Sequence, residues 1–216
     1  MSFILSPAEP ADVPELTSIY LASFVDPFSL TLFPRTPGVR AWWEQDLAQG
    51  FADPNVRMLK VVDDASGRIA AFAKWVLPPP QGEEENEEEK GEALPEWPED
   101  ADGQLCQSFF AGLLEAKKRL MGPRPYFYLE MLATHPDFQK RGAASLLLSW
   151  GTARADAAGM PAYLDGSPVG VGLYLRHGWE EKGVVVPEVN GESAAERWEK
   201  RYLCMVREPR AGETGR

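Results

Sequence analysis

Two groups in the middle of the chain have residue types and spacing suited to chemistry. They are a glycine-bearing turn at Gln139-Lys140-Arg141-Gly142-Ala143-Ala144 and a lone carboxyl at Glu130. The turn follows the apolar, aromatic run 126–134, which reads as a buried strand that Pro136 breaks because proline cannot donate to a ladder. It precedes a helical pattern over 144–157, whose Leu146, Leu147, Trp150 and Ala153 predict the buried face. Such a strand–turn–helix start binds anions. The first helical N–H groups lack internal partners, and the helix dipole favours negative charge there. Gly142 carries no Cβ and Ala143 and Ala144 are small, so a phosphate can approach the backbone, with Lys140 and Arg141 adding positive charge at the mouth.

A Walker loop requires a Gly-Lys-Ser/Thr ending and a dinucleotide fingerprint requires three glycines; neither is present in this turn. What remains, Gln139-x-Arg141-Gly142-x-Ala144, resembles the Gln/Arg-x-x-Gly-x-Gly/Ala signature of the GNAT superfamily of N-acetyltransferases. The preceding Leu132-Ala133-Thr134-His135-Pro136 is similar to that family's Leu-x-Val-x-Pro, with Thr134 in place of valine. A second stretch, residues 162–179, resembles the family's Asn-x-x-Ala-x-x-Leu-Tyr-x-x-x-Gly-Phe segment. Here Ser167 stands for Asn, Gly170 for Ala, Leu173-Tyr174 for Leu-Tyr and Gly178-Trp179 for Gly-Phe. Two motifs in the family's order, with flanking strands, extend the resemblance over most of the chain. Within the family it points to the small-amine enzymes of fungi and bacteria.

The resemblance implies acetyl-coenzyme A as co-substrate. Its pyrophosphate would lie on Gln139, Lys140, Arg141, Gly142, Ala143 and Ala144, mostly through backbone N–H groups. A bulge in the 126–134 strand would splay it from the Tyr163 strand and admit the pantetheine arm beside Leu132, Ala133 and Thr134, extending the sheet. The Leu132 N–H would serve the thioester carbonyl as an oxyanion donor. Ser167 departs from the family's asparagine at a position that contacts the pantetheine. Tyr174 matches the tyrosine that donates to the coenzyme sulfur. A primary amine, of a small molecule such as an aminoglycoside-like compound or a polyamine or of a peptide N-terminus, would attack the acetyl carbonyl directly in a ternary complex, so its ammonium must first lose a proton.

Glu130 is a charge in an apolar strand, and an unpaired buried carboxylate is costly. Three roles fit it: general base, directly or through water, with a pKa raised by burial; anchor for the substrate ammonium; or structural partner of an arginine. Asp165 ends the Tyr163 strand and is expected to face the cleft. The loop between the first two helices borders the acceptor pocket in the family, which makes Phe28 and Phe33, together with Phe24 and Trp43, candidate lining. The alternative function is a non-catalytic acyl-coenzyme A-binding regulatory module. A third keeps the fold with a longer acyl donor or an alcohol acceptor.

The elements that must hold these groups can be placed by period and punctuation. A short strand at 3–5 is followed by a helix to about Phe24, with Asp12 expected as its N-cap and Glu15 reaching back. A second helix spans 39–48, and strands 56–62 and 68–77 are joined by the turn formers of 63–67. The acidic, proline-rich insertion of about 78–103 is too polar to pack and is expected to be mobile; an extra helix follows at about 104–121. Strands near 181–186 and 201–206 close the chain, with 209–216 a frayed tail. The fold class is therefore α/β, a GNAT-like mixed, mostly antiparallel sheet with helices on both faces, in one domain over 1–208.

With 216 residues, 44% hydrophobic and 25% charged, the chain has the composition of an ordinary soluble domain. No apolar run reaches membrane-spanning length and no signal pattern opens it, so a cytoplasmic location is expected. Its net charge of −11 disfavours nucleic acid and suits a cationic amine. Two cysteines and two histidines show no metal-ligand spacing.

Overall fold

The computed structural model describes residues 2–79 and 94–210. Seven strands form one sheet in the order β1-β2-β3-β4-β5-β7-β6. They are β1 (Phe3–Pro7), β2 (Val56–Asp63), β3 (Ile69–Val76), β4 (Phe127–Thr134), β5 (Ala162–Gly166), β6 (Glu180–Val185) and β7 (Tyr202–Arg207). Only β4 and β5 run parallel; every other pair is antiparallel. The mixed, mostly antiparallel sheet carries helices on both faces, as the sequence predicts.

On one face lie α1 (Val13–Ser23), α2 (Pro27–Leu32), α3 (Pro37–Gly50) and α4 (Gly103–Met121), whose apolar sides pack with Phe72 and Met131 of the sheet. On the other lie α5 (Ala143–Ala158) and α6 (Val171–Arg176), against Trp75, Leu129 and Leu164. A last short helix, α7 (Ala194–Glu199), precedes β7.

Several local expectations are corrected. The first helix is followed by a short one that the sequence reading does not place, α2, started by Asp26-Pro27: Asp26 accepts from the Ser29 N–H at 3.0 Å and proline suits the first helical position. Six residues are too few for periodicity to betray that helix, and the same holds for α7. Asp12 makes no side-chain cap to α1; it pairs with Lys60 at 2.7 Å, while Glu15 accepts from the Ile69 N–H at 3.2 Å. The buried face of α5 is Ala143, Leu147, Leu148, Gly151, Thr152 and Ala155, with Leu146 and Ala153 outside it. The acidic run 83–89 and most of the expected insertion lie outside the described residues, as does 211–216.

Candidate active site

The site is made by an irregularity in β4. Along the β3–β4 ladder Lys74 faces Met131 and Trp75 faces Leu129, so Glu130 is the one extra residue of a bulge. The bulge swaps faces: Leu129 packs on the α5 side and Met131 on the α1–α4 side. Pairing of β4 with β5 ends at Leu129–Leu164. Past that point β4 has no partner on its β5 side among the described residues. The His135 N–H bonds the Ala70 carbonyl of β3 at 2.9 Å. By alternation, the backbone groups of Leu132 and Thr134 therefore face the gap and those of Ala133 face β3. The Thr134 carbonyl is already taken, by Ser23 Oγ at 2.8 Å and Gln139 Nε2 at 3.2 Å.

The turn from β4 into α5 bends through two left-handed residues, Lys140 (φ 60°) and Gly142 (φ 97°). Glycine adopts this conformation freely, whereas Lys140 holds it at a cost of about 1 kcal/mol. Gly142 is the N-cap of α5 and no side chain among the described residues caps it. Gly142 is exposed and Ala144 half-buried, and the first amides of the helix have no partner within it. Gln139 uses its side chain to tie the turn to the strand end. Arg141 does not project its charge at the mouth. Its guanidinium lies over the rings of Phe3 and Phe138 and reaches the buried Asp63 at 3.3 Å. Through these contacts it braces the turn.

The gap opens into a cavity of about 480 Å³, within the range of small-molecule sites. Leu132, Glu130, Asp165, Ser167 and Tyr174 line it, whereas none of Gln139, Lys140, Arg141, Gly142, Ala143 and Ala144 does. Phe33, Phe24 and Trp43 line it too. Phe28 does not: it is buried in the core against Phe109 (5.0 Å) and Tyr202 (6.2 Å). The burial expected of Glu130 is not found. Its side chain is 30% exposed and bonds Lys74 Nζ at 2.7 Å, with Asp46 3.8 Å from the same ammonium. Burial works against the Lys74 ammonium, but Glu130 and Asp46 outweigh it and its pKa is raised; burial raises that of Asp46 despite Lys74. Lys74 was open to the argument that found Glu130, as a single charge in the apolar run of β3. Asp46 offered no local signal.

Tyr174 reaches the cavity from α6 through a notch made by two glycines. A Cβ at Gly170 would come within 2.8 Å of its ring, and one at Gly166 within 3.2 Å. Burial pushes the phenol well above its ordinary pKa, so it keeps its proton.

Asp165 accepts from the Tyr163 hydroxyl at 2.6 Å. Burial raises its carboxyl to about 6, the Tyr163 bond only partly opposing this. The unfolded carboxyl loses its proton near 3.8 and the folded one near 6, so between these values the folded state binds more protons and stability falls as pH rises. Asp165→Asn is therefore expected to leave Tm nearly unchanged at pH 4 and to raise it at pH 7.5 by roughly 6–12 °C, for about 3 kcal/mol. Equal Tm differences at the two pH values, read by calorimetry, contradict this.

Among the described residues no helix is long and apolar enough to cross a membrane, and no cluster of three or more His, Cys, Asp or Glu could hold a metal ion.

A family model described as "Acetyltransferase (GNAT) family" matches residues 13–179. No curated protein sequence matches the chain. Among solved structures, the histone acetyltransferase HPA2 and related acetyltransferase from Corynebacterium glutamicum is 23% identical, with TM-score 0.62, over 99% of this chain and 100% of that one. Arylalkylamine N-acetyltransferase 2 from Aedes aegypti is 14% identical, with TM-score 0.65, over 97% and 100%. A phosphinothricin acetyltransferase from Sinorhizobium meliloti, in complex with AcCoA, is 15% identical, with TM-score 0.57, over 100% and 93%. At such identities the likeness is one of fold.

Proposed function

The chain belongs to the acetyltransferase (GNAT) family, and from that premise we propose that it moves acetyl from acetyl-coenzyme A to the primary amine of a small molecule, by direct attack in a ternary complex. The observation that carries this reading is the β4–β5 gap, with the uncapped start of α5 at one end and Tyr174 in the same cavity. The pyrophosphate lies on the amides of Gly142, Ala143 and Ala144, with Lys140 near by and Gln139 and Arg141 holding the turn in shape. The pantetheine takes the place β5 vacates, meeting the backbone of Leu132 and Thr134 beside Ala133 and Ser167. The structural neighbour from Sinorhizobium meliloti, which holds AcCoA, supports the choice of ligand.

The acetyl group supplies an electrophilic carbonyl beside Leu132, whose N–H donates to the oxygen as it gains charge. The amine nitrogen forms a bond to that carbon and the carbon–sulfur bond breaks. The nitrogen gives up its proton toward Glu130, directly or through water, and the sulfur takes the Tyr174 proton or a hydrogen bond from it. Lys74 fixes the Glu130 carboxylate and offsets its charge, and Asp165 provides a second anionic wall for an incoming ammonium.

Coenzyme A titration followed by amide NMR is expected to move the signals of Leu132, Gly142, Ala143 and Ala144. Acetyl-coenzyme A with a suitable amine is expected to release thiol. Unperturbed amides around Gly142 overturn the reading; binding without turnover of any amine reduces the chain to a coenzyme-binding module.

A further inference from the structure

We infer that the acceptor is a monoamine carrying an aromatic or similarly broad apolar group, its single ammonium held at the β4–β5 carboxylates and its apolar part against the α2–α4 wall. This deepens the acetyl-transfer reading and rests on it.

The wall is built from Phe33, Trp42, Trp97 and Phe110, which come from the end of α2, from α3, from the segment before α4 and from α4 itself. Phe33 stacks on Trp42 (5.6 Å) and Trp97 on Phe110 (5.0 Å). Trp42–Trp97 (5.7 Å) and Phe33–Phe110 (6.1 Å) join the two stacks into one surface. The rings touch one another, so no slot is left between them for a cation. Both indole donors are turned to protein acceptors, Trp42 Nε1 to the Glu96 carbonyl at 2.8 Å and Trp97 Nε1 to Gln107 at 3.2 Å. The wall thus offers apolar faces and withholds its hydrogen bonds. Burying a ring or a broad alkyl group there gains about 25 cal/mol per Å².

The charges of the cavity count in the same direction. Asp46, Glu130, Asp165 and Lys117 line the cavity, and Lys74, buried behind the lining, faces Asp46 and Glu130. Lys74 sits between Asp46 and Glu130, and Lys117 lies over the Tyr128 ring at 4.6 Å. Among the described residues one negative charge is left over, which matches one ammonium. A polyamine would have to bring a further cation to the aromatic wall. Cation–π attraction of about 0.5–2 kcal/mol does not recover the several kcal/mol of desolvation.

The test is a panel of 2-phenylethylamine, tryptamine, hexylamine, agmatine and spermidine in a thiol-release assay, with acetyl-coenzyme A affinity measured in parallel by calorimetry. The inference expects kcat/KM for the two arylalkylamines to exceed that for agmatine and spermidine by roughly tenfold or more. Trp97→Ala is expected to raise the phenylethylamine KM about tenfold while coenzyme affinity holds. Agmatine or spermidine equal to or better than the arylalkylamines, with coenzyme bound normally, overturns the inference and leaves acetyl transfer standing. Failure to bind the coenzyme overturns both. If no amine turns over, tryptophan fluorescence decides: a saturable change with phenylethylamine and none with spermidine supports the inference, and any other order sinks it.

Discussion

Tyr174→Phe is expected to lower kcat by about two to three orders of magnitude while acetyl-coenzyme A binds as before. The ring fills the notch between Gly166 and Gly170, and phenylalanine fills it equally well, so Tm is expected to stay within about 2 °C of the parent. What disappears is a proton held at 8% exposure in the wall of the cavity. Burial, the sole cause of its raised pKa, keeps that phenol neutral, so it faces the reaction as a donor. Its acidity is weak, but the leaving thiolate is desolvated in the same cavity and its own basicity rises with it. The hydrogen bond is therefore strongest when sulfur carries charge, which is a contact made in the transition state and absent from the ground state. The signature is a fall in kcat and in kcat/KM together, with KM for the coenzyme nearly fixed. A kcat within about threefold of the parent removes Tyr174 from the chemistry. A lowered Tm with weaker coenzyme binding assigns it to packing.

The parts of the site that were legible in the sequence are those encoded locally. The turn at Gln139–Ala144 is a contiguous signature, and its left-handed Gly142 is where a glycine has a backbone reason to be. The bulge in β4 came from the resemblance and has no mark in composition, because it depends on how Lys74 and Trp75 register across the ladder. Contacts between residues far apart in the chain were not legible. The sequence puts Arg141 at the phosphate mouth because nothing near it reveals Asp63, 78 residues away. Glu130 stood out as a charge among apolar residues, yet its exposure and its Lys74 partner belong to the tertiary structure. Phe28 and Phe33 are one helix apart and equally aromatic. Which of them meets the cavity is decided by the direction of α2, and six residues do not announce that direction. On α5 the large residues suggested a face through Leu146 and Ala153, whereas the sheet selects the face with Gly151.

Gly151→Ala tests that last point at full strength, and it is expected to lower Tm by about 5–10 °C. In an isolated helix the same change gains about 1 kcal/mol from propensity. Here the new Cβ would stand 2.3 Å from Cε2 and Cζ2 of Trp75 and 2.7 Å from Cδ2. Trp75 is fully enclosed and donates Nε1 to the Leu147 carbonyl at 3.2 Å, one turn before Gly151. The indole cannot retreat without opening that bond, and a buried unpaired donor costs about 1–3 kcal/mol. Overpacking adds about 1–3 kcal/mol, so together they outweigh the propensity gain. The strain falls next to the site. Trp75 faces Leu129 on one side of the β4 bulge and Lys74 faces Met131 on the other, so a displaced indole shifts the strand that carries the Glu130 pair. Activity at low temperature is expected to fall with the stability. Trp75→Phe removes the colliding ring, and in that background the added methyl should cost markedly less, a coupling that a double-mutant cycle reads directly. A Gly151→Ala protein with a Tm at or above the parent would mean that α5 meets the sheet through some other face.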